Sequence, residues 1–351
     1  MSTQIQTEEL IEVPGAPDIP GLRFRKWRGE ADIPAMVKVL NVVDPYDGSD
    51  RVSTPEALWR NYSNLRNSDA PNDMVMIEVD GELIGYKRVT WWQELDGTRI
   101  YQHFGFLLPA WRGKGIGRAL IRHSEARLHE IAAGHPDTGP RWLDSWGLEK
   151  QEGLKKLLES EGYEAIRYSY EMLRPDLENI PDVPMPDGLE VRPVKTEDLR
   201  TIWEAEVEAF RDHWGADEPQ EGDFERWQND VPFQPEYWMV AWDTATNEVA
   251  GMVRTFIDED SNRVHGRKRG WTENISVRRP WRKRGVARAL MARSMQLQKE
   301  LGMTDTALGV DAQNPSGALN LYKSMGFQVT KTEASYRKPV YPRRTKDEGR
   351  S

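Results

Sequence analysis

The sequence contains no cysteine. A disulfide framework, a thiolate nucleophile and a cysteine-ligated metal site are therefore excluded, and no bound metal ion is expected. No apolar run approaches the roughly 20 residues that span a bilayer. The first residues, MSTQIQTEELIEVPG, lack the basic start and the apolar stretch of a secretory signal. These absences predict a cytoplasmic protein that does not interact with membranes.

The chain of 351 residues also lacks an excess of positive charge, because 57 acidic residues outnumber 48 basic residues and give a net charge of -9. This balance argues against a protein whose main partner is a nucleic acid. Charged residues make up 30% and hydrophobic residues 38%, which is typical of a soluble globular protein. The length exceeds that of most single compact domains, so two domains are expected.

One stretch of sequence occurs twice, as WRGKGIGRAL at residues 111–120 and as WRKRGVARAL at residues 281–290. The similarity extends to the flanking segments. Each copy predicts a strand, a helical region, a pair of strands, a further strand, the repeated stretch, a long helix, a buried strand, a helix and a last strand. The chain is therefore predicted to be a tandem duplication of one α/β unit with a mixed sheet.

A segment rich in proline and acidic residues separates the two copies. We predict an N-terminal domain over residues 20–174, a linker over 175–187 and a C-terminal domain over 188–341. Residues 1–19 and 342–351 are predicted to be flexible tails.

The repeated stretch is suited to binding a phosphate group. The first turn of a helix leaves backbone N–H groups unpaired, and the helix dipole adds partial positive charge there. Glycine allows a phosphate to approach the backbone closely because it has no Cβ. Neither copy matches G-x-G-x-x-G or G-x-x-x-x-G-K-[ST]. Dinucleotide-binding and P-loop sites, and with them a dehydrogenase, are therefore disfavoured.

The pattern [Q/R]-x-x-G-x-[G/A], at residues 112–117 and 282–287, resembles motif A of the GNAT superfamily of acyl-CoA-dependent N-acetyltransferases. The segment VDAQNPSGALNLYKSMGF, residues 310–327, resembles motif B of that family. The order of elements agrees in both copies, so the chain is similar to tandem GNAT proteins. The resemblance implies two domains, each with a central, mostly antiparallel sheet flanked by helices. In each, the sheet is splayed between its fourth and fifth strands, with acetyl-CoA in the gap.

The implied activity is transfer of an acetyl group from acetyl-CoA to a primary amine by direct attack, mainly in the C-terminal domain. An amine is largely protonated at neutral pH, so a base is needed, and the leaving thiolate needs a proton donor. The resemblance assigns the general acid to Tyr322 and the base to Glu273. A sensor that binds acyl-CoA without turnover, and a transferase of longer acyl groups, are the alternatives.

The residues expected to bind acetyl-CoA lie on the strand before motif A, in motif A or in motif B. In the C-terminal copy they are Ile275, Val277, Arg282, Arg284, Gly285, Val286, Ala287, Arg288, Asn314 and Ser316. In the N-terminal copy they are Leu107, Arg112, Gly113, Lys114, Gly115, Ile116, Gly117 and Arg118. Asn314 has an alternative interpretation as a helix cap.

Alignment of the two copies places Leu158 opposite Tyr322 and His103 opposite Glu273. Leucine cannot protonate a thiolate. We therefore predict that the N-terminal domain is catalytically weak or silent and contributes binding, stability or part of the acceptor pocket.

The acceptor is expected to be a small-molecule or peptide amine. Asp212, His213 and Trp214 are the acceptor-side candidates, because a carboxylate beside an aromatic ring suits a cationic amine. The alternative is that the acidic residues of this region are simply solvated. Because the two copies already form a pseudo-dimer, a monomer is favoured, with a homodimer as the alternative.

Overall fold

A computed structural model of the protein describes residues 10–230, 232–314 and 317–340. The N-terminal copy contains β1 (Leu22–Arg25), α1 (Ile33–Asp47), α2 (Pro55–Ser63), α3 (Ala70–Asp73), β2 (Met74–Val79), β3 (Glu82–Gln93), β4 (Arg99–Leu107), α4 (Ile116–Ala133), β5 (Arg141–Leu148), α5 (Glu152–Ser160) and β6 (Glu164–Arg174). The C-terminal copy contains β7 (Leu189–Arg192), α6 (Leu199–Phe210), α7 (Asp223–Gln228), β8 (Met239–Asp243), β9 (Val249–Ile257), α8 (Glu259–His265), β10 (Arg269–Val277), α9 (Val286–Glu300), β11 (Asp305–Asp311), α10 (Ala318–Ser324) and β12 (Gln328–Pro339).

The two copies follow the same order of elements apart from the short helices α3 and α8, and the predicted mixed α/β fold is confirmed. Helices α4 and α9 pack on the sheet through apolar side chains at helical spacing. In the described parts of the chain, no helix combines the length and the hydropathy needed to cross a membrane.

All twelve strands belong to one sheet, in the order β1-β2-β3-β4-β5-β12-β6-β11-β10-β9-β8-β7. The last strand of each copy has moved into the other half. Strand β12 pairs with β5 of the N-terminal copy, and β6 pairs with β11 of the C-terminal copy. Strands β6 and β12 also pair with each other at the centre. The two copies are therefore joined by a continuous hydrogen-bonded sheet.

Two parallel strand pairs separate part-way along their length. Strands β4 and β5 pair only from Arg99 to Gln102 of β4, and β10 and β11 pair only from Arg269 to Trp271 of β10. Beyond these residues each pair diverges and leaves an opening in front of α4 or α9. Backbone groups that face such an opening have no partner in the facing strand and are available to a ligand.

The segments that precede the first strand of each copy run along equivalent helices. In residues 10–19, part of the region predicted as a tail, Val13 is buried against α4. In the linker of residues 175–187, Leu177 is buried in the cluster that contains α9. Both segments therefore add apolar surface to the cores of their copies.

Two strand glycines allow neighbouring strands to approach closely. A Cβ on Gly251 of β9 would lie 2.5 Å from the Ser276 carbonyl oxygen, and one on Gly85 of β3 would lie 2.4 Å from that of Phe106. These distances are too short for a methyl group, so both positions need glycine.

Replacing Gly251 with alanine should destabilise the protein by about 1–3 kcal/mol, because the methyl group forces β9 and β10 apart. Gly153→Ala in α5 is the matched control, since nothing lies within 4 Å of the corresponding Cβ position. Chemical denaturation of both variants provides the measurement. A Gly251 variant as stable as the Gly153 variant would contradict the close approach of the two strands.

Candidate active site

The loop that joins β10 to α9 has the conformation of an anion cradle. Lys283 (φ 61°) and Gly285 (φ 89°) adopt left-handed backbone angles, as do Gly113 (φ 73°) and Gly115 (φ 92°) in the loop before α4. The two loops therefore fold alike, although one uses lysine where the other uses glycine. In both, the following helical turn directs unpaired N–H groups and positive dipole potential toward the opening in the sheet.

Arg282, the first residue of the C-terminal motif, fixes the loop in position. Its Nε donates to the Val277 carbonyl at 2.9 Å. Its terminal nitrogens donate to the Asp212 carboxylate at 2.6 Å and to the Ala209 carbonyl at 3.0 Å. The guanidinium group thus ties the end of β10 to the end of α6, which leaves the backbone of the loop as its anion-binding surface.

Arg112 has the same role in the N-terminal copy. Its Nε donates to the Leu107 carbonyl at 2.9 Å, and its terminal nitrogens donate to the two oxygens of Asp47 at 2.6 and 2.9 Å. The shared arrangement explains in physical terms why both motifs begin with arginine.

Arg288 and Arg118 are equivalent residues in the first turns of α9 and α4, and their partners differ. Arg288 donates to the Ser324 hydroxyl at 2.7 Å and forms no ion pair with any described residue. Arg118 is paired with the Glu161 carboxylate at 2.6 Å. The C-terminal cradle therefore keeps more of its positive potential for an anionic ligand.

The remaining cradle residues anchor the loops or line them. Val286 and Ile116 are buried in the cores, and Arg284 donates to a linker carbonyl at 3.1 Å. Ile275 packs at the edge of the core beside α9. Ala287, Gly117 and Lys114 lie at the starts of the two helices or just before them.

The segment before α10 holds the last predicted ligands of acetyl-CoA. The Asn314 N–H donates to the Asp311 carbonyl at 3.1 Å. Helix α10 is capped by Gly317, so the alternative interpretation of Asn314 as its N-cap does not apply. Ser316 lies outside the described residues.

Glu273 lies at the point where β10 and β11 diverge, directly before a bulge at Asn274 (φ 48°). The Gly309 N–H donates to its Oε1 at 2.8 Å. Burial raises the pKa of Glu273 to about 7, against the opposing effect of the hydrogen bond from Gly309. The carboxyl group can therefore exchange a proton near neutral pH, as a general base must.

Tyr322 approaches the same opening from α10. It is buried, and its ring lies 6.4 Å from that of Phe327. Burial, followed by the nearby carboxyl group of Glu273, raises the pKa of Tyr322 above its ordinary value. The hydroxyl group consequently stays protonated at neutral pH and can donate a hydrogen bond or a proton. The fold thus brings Tyr322 and Glu273 together.

A cavity of about 300 Å³ adjoins Glu273, and both copies supply its walls. Three carboxylates, those of Glu171, Glu273 and Glu333, line it together with the single ammonium group of Lys331. The cavity is therefore suited to a positively charged guest. Glu171 and Glu333 belong to the exchanged strands β6 and β12, so no pattern within one copy of the sequence could have indicated them. Ser49 and Leu148 close the cavity from the N-terminal copy.

Asp50 holds this N-terminal wall against the C-terminal copy. Its carboxylate is paired with Arg267, with Arg269 at 3.5 Å and with Lys331 at 3.2 Å. Lys331 also pairs with Glu171 at 3.0 Å. The cavity beside Glu273 therefore depends on ion pairs that cross between the copies.

The three predicted acceptor-side residues do not line this cavity. Hydrogen bonds from Arg279 and then from Arg282 hold the pKa of Asp212 well below its usual range. Burial lowers the pKa of His213, whose ring lies 4.5 Å from that of Phe210. The carboxylate of Asp212 thus contributes to fixing the cradle loop.

Trp214 lies where the two copies meet. Its ring is covered by the guanidinium groups of Arg167 at 4.8 Å and Arg337 at 4.5 Å. Nearby, the Leu95 N–H donates to the Ala216 carbonyl at 2.9 Å. This part of the chain therefore joins the two copies.

The N-terminal opening differs because β4 has no bulge. Gly251 of β9 and Gly85 of β3 are equivalent, and so are the residues three positions later, Arg254 and Arg88. Arg254 lies opposite Glu273 of β10, whereas Arg88 lies opposite Phe104 of β4. Phe104, and not the His103 of the ungapped alignment, therefore occupies the position of Glu273. An alignment of sequences cannot detect this shift because both strands have the same length.

His103 instead faces the core of the N-terminal copy. Its Nε2 lies 2.8 Å from the Tyr163 hydroxyl, and burial lowers its pKa to about 3. The backbone carbonyl of Leu158 accepts a hydrogen bond from the Tyr163 N–H, and the backbone carbonyl of Tyr322 accepts one from the Phe327 N–H. The matching hydrogen bonds confirm that Leu158 and Tyr322 are equivalent positions. The positions that hold a carboxylate and a hydroxyl in the C-terminal copy are thus phenylalanine and leucine in the N-terminal copy.

Comparison with known proteins follows the same division of the chain. Residues 37–135 and 199–327 match the model of the acetyltransferase (GNAT) family, and together they make up more than half of the chain. A mycothiol acetyltransferase of Salinispora tropica is 26% identical over 309 residues, which cover 87% of this chain and 92% of that protein.

Solved structures are similar over nearly the whole chain. A GCN5-related N-acetyltransferase from Sphaerobacter thermophilus has a TM-score of 0.68 at 25% identity and covers 93% of this chain and 97% of its own. A tandem GNAT protein from the clavulanic acid biosynthesis pathway has a TM-score of 0.63 at 16% identity, with coverages of 92% and 99%. The resemblance to tandem GNAT proteins is confirmed.

The raised pKa of Glu273 predicts a pH-dependent cost in stability. The pKa of Glu273 is 4.5 in the unfolded chain and about 7 in the folded protein. Between these two pH values the carboxyl group is ionised in the unfolded chain but still largely protonated in the folded protein. Stability therefore falls as the pH rises through this range, and the loss persists above it. Glu273→Gln should gain stability over the wild type progressively between these two values.

Thermal denaturation at several pH values measures this difference. Glu82→Gln, at an exposed position on β3, is the matched control and should follow the wild type. A constant difference between Glu273→Gln and wild type across the range would contradict the raised pKa.

Proposed function

The chain belongs to the acetyltransferase (GNAT) family, and we propose that its C-terminal domain transfers an acetyl group from acetyl-CoA to a primary amine. One observation carries the proposal. Glu273, with a pKa of about 7, lies where β10 and β11 diverge, and the protonated hydroxyl group of Tyr322 on α10 is near enough for Glu273 to raise its pKa. A base and an acid at one opening suit a reaction that must deprotonate an amine and protonate a thiolate.

Acetyl-CoA supplies the acetyl group as an activated thioester. Its pyrophosphate would be held by the backbone N–H groups of Gly285, Val286, Ala287 and Arg288, with the Arg288 and Arg284 side chains close by. Arg282 would act by fixing the loop. Backbone groups of β10 at Ile275 and Val277, and the segment of Asn314 and Ser316, would hydrogen-bond the pantetheine arm.

Glu273 accepts the proton of the acceptor ammonium group, directly or through water. The neutral amine can then attack the thioester carbonyl in a complex that contains both substrates. Attack forms the C–N bond, and collapse of the adduct breaks the C–S bond while Tyr322 donates its hydroxyl proton to the departing sulfur. The second proton that the nitrogen loses restores the Tyr322 hydroxyl, and Glu273 returns its proton to solvent. Glu273 is near enough to Tyr322 to influence its pKa, so one bound pair of substrates could use both groups.

The acceptor is a small cationic amine bound in the cavity beside Glu273. Glu171 is paired with Lys331, so the carboxyl groups of Glu273 and Glu333 are the ones that would meet the acceptor ammonium group. The small volume, about 300 Å³, favours a compact group. The name of the relative from Salinispora tropica, mycothiol acetyltransferase, supports a small-molecule acceptor.

The N-terminal domain is proposed to be catalytically silent. Phe104 and Leu158 replace the base and the acid, and Glu161 neutralises Arg118 in the cradle. Gly113, Lys114, Gly115, Ile116 and Gly117 retain the loop geometry, so this domain keeps a site for acetyl-CoA between Leu107 and α4. Its contribution to the reaction is the wall formed by Ser49 and Leu148.

Tyr322→Phe should lower kcat about a hundredfold or more, because the leaving thiolate loses its proton donor. The KM for acetyl-CoA should change little, since the ring remains in place. Release of free thiol, measured with an amine identified by screening, provides the rate. Tyr46→Phe, which removes the hydroxyl of an exposed tyrosine, is the control. Full turnover by Tyr322→Phe would disprove the assignment.

If Glu273 is the general base, the pH dependence of kcat/KM should follow the ionisation of its carboxyl group. In the wild type, kcat/KM should rise with pH and level off above about 7, because only the carboxylate accepts a proton. Glu273→Gln should be slower and should lose the rise near this pH, whereas Glu82→Gln should keep it. A Glu273→Gln profile with the same inflection would show that another group is the base.

A further inference from the structure

A second cavity is lined mainly by residues of the N-terminal copy. Its volume is about 750 Å³, more than twice that of the cavity beside Glu273. It lies on the corresponding part of the sheet, over Arg88 of β3, Phe104 and Phe106 of β4 and Trp146 of β5. It therefore corresponds to the acceptor side of a domain that lacks both catalytic groups.

The walls of this cavity are rich in aromatic rings. Tyr62, Tyr86, Phe104, Phe106 and Trp146 all line it. Neighbouring rings are 5.3–6.4 Å apart, with tilted or edge-on planes. Such a lining suits a flat, apolar body that can stack against or meet the ring edges.

Arg88 lines the cavity, and one nitrogen of its guanidinium group lacks a hydrogen-bond partner. It lies 5.2 Å from the centre of the Tyr62 ring and 4.9 Å from that of Phe104. Its Nε is buried without a hydrogen-bond partner, and Arg88 forms no ion pair with any described residue. A buried donor of this kind costs free energy unless a ligand satisfies it.

The fold does not require an arginine at this position to lack a carboxylate partner, as the equivalent residue Arg254 of the C-terminal copy shows. Arg254, at the same position on β9, also packs on aromatic rings, but it is paired with Asp230 at 3.3 Å. The N-terminal copy retains the arginine without a carboxylate partner.

The other charges of the cavity favour one orientation of a guest. Arg51 is paired with Asp44 at 2.9 Å and Arg66 with Asp217 at 2.6 Å, so both are largely neutralised. The wall from the C-terminal copy carries Asp258, Glu259 and Asp260 at the start of α8, of which Asp260 is paired with Arg263 and Asp258 accepts from the Ser261 N–H. Glu259 leaves this wall with negative charge. An anionic group is therefore attracted to Arg88 and repelled from the opposite wall.

We propose that this cavity is a binding site for a small aromatic carboxylate, with the carboxylate at Arg88 and the ring among the aromatic side chains. The guest is bound and released unchanged, because Phe104 and Leu158 offer no base or acid. Bound there, it would contact both copies, since Pro232, Gln234 and residues 257–260 of the C-terminal copy also line the cavity. The inference concerns binding and does not depend on the acceptor of the C-terminal domain.

Calorimetry on the full-length protein tests the proposal with two probes that share one body. They are 3-phenylpropanoate and 3-phenylpropan-1-ol. The anionic probe should bind more tightly than the alcohol, and Arg88→Gln should weaken it at least about tenfold, as expected for a lost hydrogen bond to a charged group. Arg60→Gln removes an exposed charge on α2 outside the cavity and should leave the affinity unchanged.

Ala57→Trp, at a residue that lines the cavity, is a second variant that keeps Arg88. It should reduce binding of the acid and of the alcohol alike, because it fills the space. Thermal denaturation establishes that both variants are folded, and if Arg88→Gln does not fold, Ala57→Trp alone decides. The proposal is overturned if the acid does not bind the wild type, if acid and alcohol bind equally, if folded Arg88→Gln binds the acid as Arg60→Gln does, or if Ala57→Trp binds it as the wild type does.

Discussion

Pairing between β6 and β12 at the centre of the sheet is the interaction on which the rest of the structure depends. Each of these strands completes the half of the sheet that belongs to the other copy, and together they turn two six-stranded halves into one continuous sheet. The exchange sets the distance and angle between the copies through backbone hydrogen bonds, which are directional and numerous. Side-chain contacts between the copies, such as the ion pairs of Asp50, build on that geometry.

This shared sheet explains why the candidate acceptor cavity is a product of both copies. Glu171 and Lys331 lie on the exchanged strands, and Ser49 comes from the loop after α1. The reverse holds for the larger cavity of the N-terminal copy, which residues of the C-terminal copy close. Each copy thus closes the ligand-facing side of the other, and a duplicated chain can specialise its two cavities separately.

The N-terminal copy has apolar side chains where the C-terminal copy has a carboxylate and a hydroxyl group, which avoids the cost of burying those two groups. In the C-terminal copy, burial of Glu273 raises its pKa and opposes its ionisation, a tension typical of catalytic groups. Phe104 and Leu158 place apolar side chains at the equivalent positions, where they join a larger aromatic and aliphatic lining. At these two positions the N-terminal copy therefore has apolar contacts where the C-terminal copy has groups that can exchange or donate a proton.

The sequence by itself determined the duplication and the mixed α/β fold, and the resemblance of its motifs singled out the two cradle loops and the candidate pair of Glu273 and Tyr322, because these depend on local spacing or on a motif within one copy. The bulge at Asn274 and the resulting equivalence of Glu273 with Phe104 depend on strand register. Asp212 and Trp214 were expected on the acceptor side. Instead, Asp212 pairs with Arg282 and holds the cradle loop, and Trp214 packs against Arg337 where the two copies meet. The exchange of β6 and β12, and the cavity walls that follow from it, were decided only by the tertiary structure, because contacts between residues more than a hundred positions apart leave no periodic signal in the chain.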